Sequence, residues 1–225
     1  MHSSQSPPQN PVIPAVITLR DIRVSHGATV ALDGVSATVE AGRVTVVAGA
    51  NGSGKSTLLG VIAGTQPWQS GQRMADGAGR IALVVQRSAA PDSLPLTVLE
   101  TVRMGRWAHR GWWRPLTRRD REIVADSIHA LGLSGLEHRS LGGLSGGQRQ
   151  RALVAQGLAQ QADVLVLDEP AAGLDGEALQ LIDGALRREA DRGVAVLCAT
   201  HDPEVIRGAD RVIHLEAGVR VEGGL

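Results

Sequence analysis

One stretch constrains the fold of this chain more than any other. Gly49-Ala50-Asn51-Gly52-Ser53-Gly54-Lys55-Ser56-Thr57 follows the apolar run Val44-Thr45-Val46-Val47-Ala48 and precedes Leu58-Leu59-Gly60-Val61-Ile62-Ala63. The run reads as a buried strand and the segment after the glycines as a helix. In that context G-x-x-x-x-G-K-[ST] is a phosphate cradle. Glycines let successive backbone N–H groups point inward at an anion, and the following helix adds the positive end of its dipole. Lys55 would reach the β- and γ-phosphates, and the Ser56 hydroxyl would ligate Mg²⁺.

A strand and helix of this kind need a core to sit in. At 225 residues, 43% of them apolar, the chain can build one domain, or one domain with an inserted lobe. It has no Tyr and no Phe, so that core must be aliphatic. Twenty-three basic residues balance 23 acidic ones, which leaves no global field to recruit nucleic acid or an anionic membrane. The lone Cys198 excludes an intramolecular disulfide and fits a reducing compartment. No apolar run approaches the roughly 20 residues that span a bilayer. No basic region precedes the short apolar stretch near the N-terminus, which argues against a secretory signal.

Read in order, residues 1–14, rich in Ser, Gln and Pro, form a disordered tail or leader, and a single domain occupies 15–225. Val16–Val24 alternates as a strand, Ser25–Ala28 is a turn, Asp33-Gly34 is a hairpin signal, and Val35–Val39 is a further strand. Gly64–Gly79 is turn-rich, and Arg80–Gln86 is a strand. Thr97-x-x-Glu100 and Thr117-x-x-Asp120 are capping boxes that open helices through about Arg106 and Leu131. Between them runs a basic, Trp-rich loop, Arg106–Pro115, so that a helical lobe occupies about 87–143. A helix follows Ser145 to about Gln160, then a strand at Val164–Glu169 ending in two carboxylates and a turn at Gly173-Leu174-Asp175. An amphipathic helix at Leu179–Ala190 and a strand at Val194–Ala199 come next; a short helix, a strand at Val212–Leu215 and a Gly-turned hairpin finish the chain. Alternating helices and continuously apolar strands predict an α/β fold around a mainly parallel sheet covered on both faces.

Four further stretches carry chemistry. Asp168-Glu169 puts two carboxylates at the end of a buried strand: Asp168 could hold Mg²⁺ through water, and Glu169 could polarise an attacking water. His201, at the end of the last core strand, could hydrogen-bond a γ-phosphate, or be a surface residue. Gln86 could ligate Mg²⁺ or orient water, and a satisfied turn glutamine would look the same. Ser145-Gly146-Gly147-Gln148 reads either as a capped helix or as a second anion site, whose use in a chain with one phosphate loop would be to close the nucleotide of a second copy.

These stretches, in this order, resemble an ABC-transporter ATP-binding subunit over nearly the whole chain from about Val16. The resemblance implies a P-loop NTPase (RecA-like) core with an antiparallel β lobe and an inserted helical lobe, and a head-to-tail homodimer that sandwiches two ATP molecules. It makes Glu169 the general base, His201 the switch histidine, Gln86 the Q-loop residue and Asp175 the D-loop residue coupling the two sites. Two positions depart from the family pattern. His26 stands where an aromatic residue usually stacks on adenine, and Ala171-Ala172 replaces the Thr or Ser common after the Walker B proline.

Met104 to Arg114, followed by Leu116-Thr117-Arg118-Arg119-Asp120, is similar to the manganese- and zinc-type importers; the iron-siderophore and cobalamin type shares much of this lobe and is the alternative. Trp107, Trp112 and Trp113 read as lobe core or, on the preferred reading, as an exposed rim that receives a helix of the membrane subunit. The seven histidines show no ligand-like cluster. The resemblance therefore implies an ATPase at the cytoplasmic face of the cell membrane. Its partners would be integral membrane permease subunits and an extracytoplasmic substrate-binding protein, with no nucleic acid. A soluble ATPase acting on ribosomes or DNA is disfavoured by the single phosphate loop and the lack of coiled coils, and a non-hydrolysing regulator by the intact Asp168-Glu169 and His201.

Overall fold

The computed structural model describes residues 15–75, 78–85, 96–111 and 113–221, the side chains of Ala15, Ala108 and Arg110 apart. The N-terminal tail, Gln86 and Trp112 lie outside the described residues.

Two sheets form. The first has the order β2-β1-β4, from β1 (Ala15–His26), β2 (Thr29–Glu40) and β4 (Ser70–Met74), all antiparallel. The hairpin turn is Gly27-Ala28, with His26 opposite Thr29. Asp33-Gly34 does not turn the chain, contrary to the sequence reading; β2 runs straight through it. Two residues there, Asp33 and Gly34, oppose one on β1, Arg23, between the pairs Ile22↔Val35 and Val24↔Leu32. Gly34 takes φ +67°, so its left-handed freedom makes a bulge. The amide of Asp33 is spent on Gly218 O at 2.8 Å, outside the sheet. β4 was also unforeseen within the turn-rich 64–79. Ser-Gly-Gln-Arg-Met has no apolar alternation, but β1 offers it an edge, and Arg73 donates to Ile62 O at 2.7 Å.

The second sheet has the order β5-β6-β7-β3-β8-β9. Its strands are β3 (Val44–Ala48), β5 (Ile81–Val84), β6 (Val164–Asp168), β7 (Ala195–Thr200), β8 (Arg211–Glu216) and β9 (Val219–Val221), parallel except for the last. β3 and β7 are buried throughout, the mark of strands covered on both faces. Alternate side chains serve different cores. Val164, Val166 and Leu197 pack with the first sheet and with Leu58, Leu59 and Ile62 of α1 (Lys55–Ala63). Leu165, Leu167 and Val196 pack with α2 (Val98–Met104), α4 (Arg118–Ala130), α5 (Gly146–Ala159) and α6 (Gly176–Asp191). Both cores are aliphatic, as the composition requires.

Both predicted capping boxes of the helical lobe form: Thr97 with Glu100, and Thr117 with Asp120. The expected loop at 106–115 is interrupted by a short helix, α3 (Trp107–Arg110). Its cause is tertiary. Arg106 is buried, with Nε 3.0 Å from Asp120 Oδ1 and Nη1 donating to Ala159 O at 2.7 Å, and this holds the chain in a turn as it enters α3. A further helix, α7 (Pro203–Gly208), follows β7, and α6 starts three residues earlier than expected because Asp175 caps it, accepting from Ala178 N at 2.9 Å.

Candidate active site

The carboxyl ends of β3, β6 and β7 lie side by side, so the segments leaving these three strands meet at one edge of the sheet. β3 leads into the phosphate loop, β6 into Glu169 and β7 into His201. They enclose a cavity of about 490 Å³, lined by Asn51, Gly52 and Gly54–Thr57, by Glu169 and His201, and by His26, Val30 and Ala31.

The loop depends on its glycines. Gly54 stands at φ +101°, and a Cβ there would come 2.5 Å from Ala31 O. A Cβ on Gly49 would strike Leu215 O and Ser53 Oγ. Lys55, the chain's single lysine, opens α1 with its side chain buried. Its ammonium donates to Gly49 O at 2.8 Å and Ala50 O at 3.1 Å, and lies 3.4 Å from Glu169 Oε1. Glu169 is buried, and its backbone takes φ +48° just past the strand, with N donating to Ala199 O at 3.0 Å. A non-glycine residue held there stores strain, and it turns the carboxylate into the cavity. His201 Nδ1 lies 3.2 Å from that carboxylate, while its own side chain is 60% exposed. A cation, a carboxylate and an imidazole thus form one chain of contacts beside the anion cradle.

Asp168 Oδ1 is buried with no hydrogen-bond partner among the described residues, and Ser56 lines the cavity. Two hard oxygen donors beside a phosphate site are the set Mg²⁺ takes, so these residues fit the ion. His26 lines the cavity, exposed, with Nε2 3.5 Å from Thr57 Oγ1. The sequence reading missed Val30 beside it, an apolar side chain 56% exposed on the cavity wall, whose only signal was its place four residues past His26. Behind the site Cys198 is fully buried. Desolvation first, then the carboxylates of Glu169 and Asp168, raise its thiol pKa far above the ordinary range, so it is inert.

Two sequence-singled sets stand apart from the cavity. Ser145 and Gln148 close their capping box, Gln148 N donating to Ser145 Oγ at 3.2 Å and Ser145 N to Gln148 Oε1 at 3.1 Å. Gly146 and Gly147 bare the first turn of α5, and a Cβ on Gly147 would lie 3.3 Å from Leu174 Cδ2. Asp175 is occupied as the cap of α6. Neither set lines the cavity.

A parallel sheet whose strand ends join a phosphate loop, the buried carboxylate of Glu169 and a histidine around one cavity defines a nucleoside triphosphatase. The chain belongs to the ABC transporter family, whose model matches residues 32–172, and it is an ATP-binding ATPase of that family. A manganese transport ATP-binding protein of Listeria monocytogenes is 33% identical over 190 residues, 82% of this chain and 79% of that protein. A zinc transport ATP-binding protein of Streptococcus pneumoniae is 33% identical over 213 residues, 88% of this chain and 89% of that protein. A hemin import ATP-binding protein of Streptomyces coelicolor is 37% identical over 213 residues, 90% of this chain and 75% of that protein. Among solved structures, the ADP conformation of an ABC transporter ATP-binding cassette superposes with a TM-score of 0.79 at 27% identity, covering 92% of this chain and 90% of that one.

Proposed function

We propose that this chain is the motor subunit of a membrane importer of manganese or zinc. The observation that carries the reading is the Lys55–Glu169–His201 chain of contacts beside the phosphate loop, in a chain whose relatives include manganese and zinc transport proteins. ATP lies in the cradle with its adenine toward His26 and Val30. Lys55 exchanges its contact with Glu169 for the β- and γ-phosphates. Mg²⁺ neutralises phosphate charge when bound, and Ser56 and Asp168 would hold it, with Gln86 completing the set from outside the described residues. Glu169, released by Lys55, accepts the proton of the attacking water, and His201 hydrogen-bonds the γ-phosphate. Ser145–Gln148 of a second, head-to-tail copy closes the same phosphate, and Asp175 couples the two sites.

The homodimer works at the cytoplasmic face of the membrane on permease subunits supplied by an extracytoplasmic binding protein. Among the described residues no helix is long and apolar enough to cross a membrane; in this reading the permease subunits supply the span. Glu169→Gln tests the chemistry: phosphate release falls by about 100-fold or more, and ATP traps a dimer visible by light scattering. Hydrolysis at the wild-type rate by this variant refutes the role. Uptake of radioactive manganese or zinc by the reconstituted importer tests the cargo, and uptake of hemin instead would favour the second reading, iron-chelate import, which the hemin relative supports.

A further inference from the structure

The hairpin of β8 and β9 ends against the phosphate loop. Glu216 pairs with Val219, so its turn is the two residues Ala217-Gly218, both at positive φ, +47° and +80°. Positive φ at both centres gives a tight turn whose twist suits the strands it joins. The hairpin meets the loop in two places. Leu215 O lies so near Gly49 that a Cβ there would come 2.3 Å from it. Gly218 N donates to Ser53 O at 3.0 Å. Gly218 O in turn accepts from Asp33 N at 2.8 Å, which fixes the same residue to β2. Two glycines also close on one carbonyl of β2: a Cβ on Gly54 would lie 2.5 Å from Ala31 O, and one on Gly218 2.8 Å. Arg220 of β9 adds a further tie, Nη1 donating to Ser36 O at 2.9 Å.

We propose that Gly218 is a positioning residue, a strut that sets the distance between the phosphate loop and the Val30–Ala31 wall of the cavity and so favours ligands that span both. The amide and carbonyl of this one residue hold the loop and β2. Val30 and Ala31 lie just before Asp33 on that strand, and both line the cavity. The bridging atoms belong to the backbone of a two-residue turn, which has little slack. A Cβ on Gly218 would meet Ala31 O and, at 3.4 Å, Leu32 Cα, backbone atoms that no side-chain rotation can move aside. Either β2 or the turn must then draw back from the loop. Misplacing bound groups by about 1 Å can cost about 100-fold in rate, so a nucleotide held at both ends feels the shift. A ligand held by the phosphate loop alone does not. The inference rests on the proposed placing of the base toward His26 and Val30, and is independent of the cargo.

The test titrates the full chain with ATP and with inorganic tripolyphosphate, both without Mg²⁺ so that neither is hydrolysed. Gly218→Ala should weaken ATP about tenfold and leave tripolyphosphate unchanged. Gly193→Ala is the control for backbone strain: Gly193 has φ +92° and open space around it, at the opposite end of β7 from His201. It should lower the urea midpoint and change neither ligand. Should Gly218→Ala fail to fold, Arg220→Ala leaves the backbone intact and removes only the tie to Ser36. It should weaken ATP about threefold and spare tripolyphosphate, and Arg220→Lys should restore ATP. Equal weakening of both ligands, or ATP binding unchanged in both Gly218→Ala and Arg220→Ala, overturns the strut. Val30→Ser tests the placing of the base separately, and should weaken ATP alone. If it spares ATP, that placing fails and the strut falls with it; if it weakens ATP while Gly218→Ala and Arg220→Ala do not, the strut alone falls.

Discussion

Asp120→Ala is the perturbation that best separates the packing of the helical lobe from its surface. Asp120 does two jobs at once. It completes the capping box of α4, taking Thr117 N at 2.9 Å and the Thr117 hydroxyl, and it is the acid facing buried Arg106 at 3.0 Å. Truncating one partner of a buried ion pair costs about 3–5 kcal/mol, and losing a cap about 1 kcal/mol. The two share a carboxylate, so the expected loss is about 4 kcal/mol, a large part of the roughly 5–15 kcal/mol that holds a domain folded. The same carboxylate gives a pH signature. The Thr117 hydroxyl first, then the Thr117 amide and Arg106, draw its pKa from 3.8 down to about 2 against the opposing effect of burial. The folded state therefore prefers the ionised form. Its stabilisation is complete above the unfolded pKa and disappears as pH falls from about 4 through about 2, an effect of about 2 kcal/mol. Urea melts of the native chain, Asp120→Ala and the exposed control Glu122→Ala, taken from pH 7 to pH 2.5, test both parts. The gap between native and Asp120→Ala should be several times that of the control at neutral pH and should narrow in acid. A neutral-pH gap no larger than the control's, or one indifferent to pH, would refute the reasoning.

The remaining expectations concern the site. Gly54→Ala should lower nucleotide affinity at least about tenfold by fluorescent-analogue titration, because its Cβ meets the Ala31 carbonyl; Gly52→Ala, with open space around it, should bear only the left-handed strain of about 1–2 kcal/mol. Equal effects at the two glycines would contradict the geometry. Ser145→Ala should cost about 1 kcal/mol of stability by urea melt and lower the hydrolysis rate at saturating ATP more than it lowers ATP affinity. A thiol reagent should leave Cys198 unmodified in the folded chain and label it in urea; rapid labelling without urea would contradict its burial.

What could be read in the sequence was what is decided within one helical turn. The caps at Thr97, Thr117 and Ser145 each bond a residue three positions on, so their spacing carries the whole interaction. The continuously apolar strands were legible for a similar reason, since each residue reports its own burial. The failures all involve a distant partner. Asp33-Gly34 has the composition of a turn, yet β1 pairs with the residues on both sides of it and Gly218 O takes the Asp33 amide. β4 exists because β1 has a free edge, which no residue of 70–74 announces. Arg106 looked like one more basic residue of a loop, and only the fold brings Asp120 and the end of α5 to it.

The site divides along the same line, and its division bears on how the ATPase works. Its motifs were legible one by one, but their meeting is fixed by the strand order β6-β7-β3, which sets Glu169, His201 and the phosphate loop at adjacent strand ends. That same sheet separates the other half. α1, rooted in the phosphate loop, packs on the face that includes Val164 and Val166, while α5, rooted in Ser145, packs on the opposite face with Leu165 and Leu167. The two helices pack on opposite faces of the sheet, and Ser145 is not among the described residues that line the cavity beside the phosphate loop. If it serves catalysis, the anion it meets must be held by another copy, and the dependence of hydrolysis rate on protein concentration should then rise more steeply than first order.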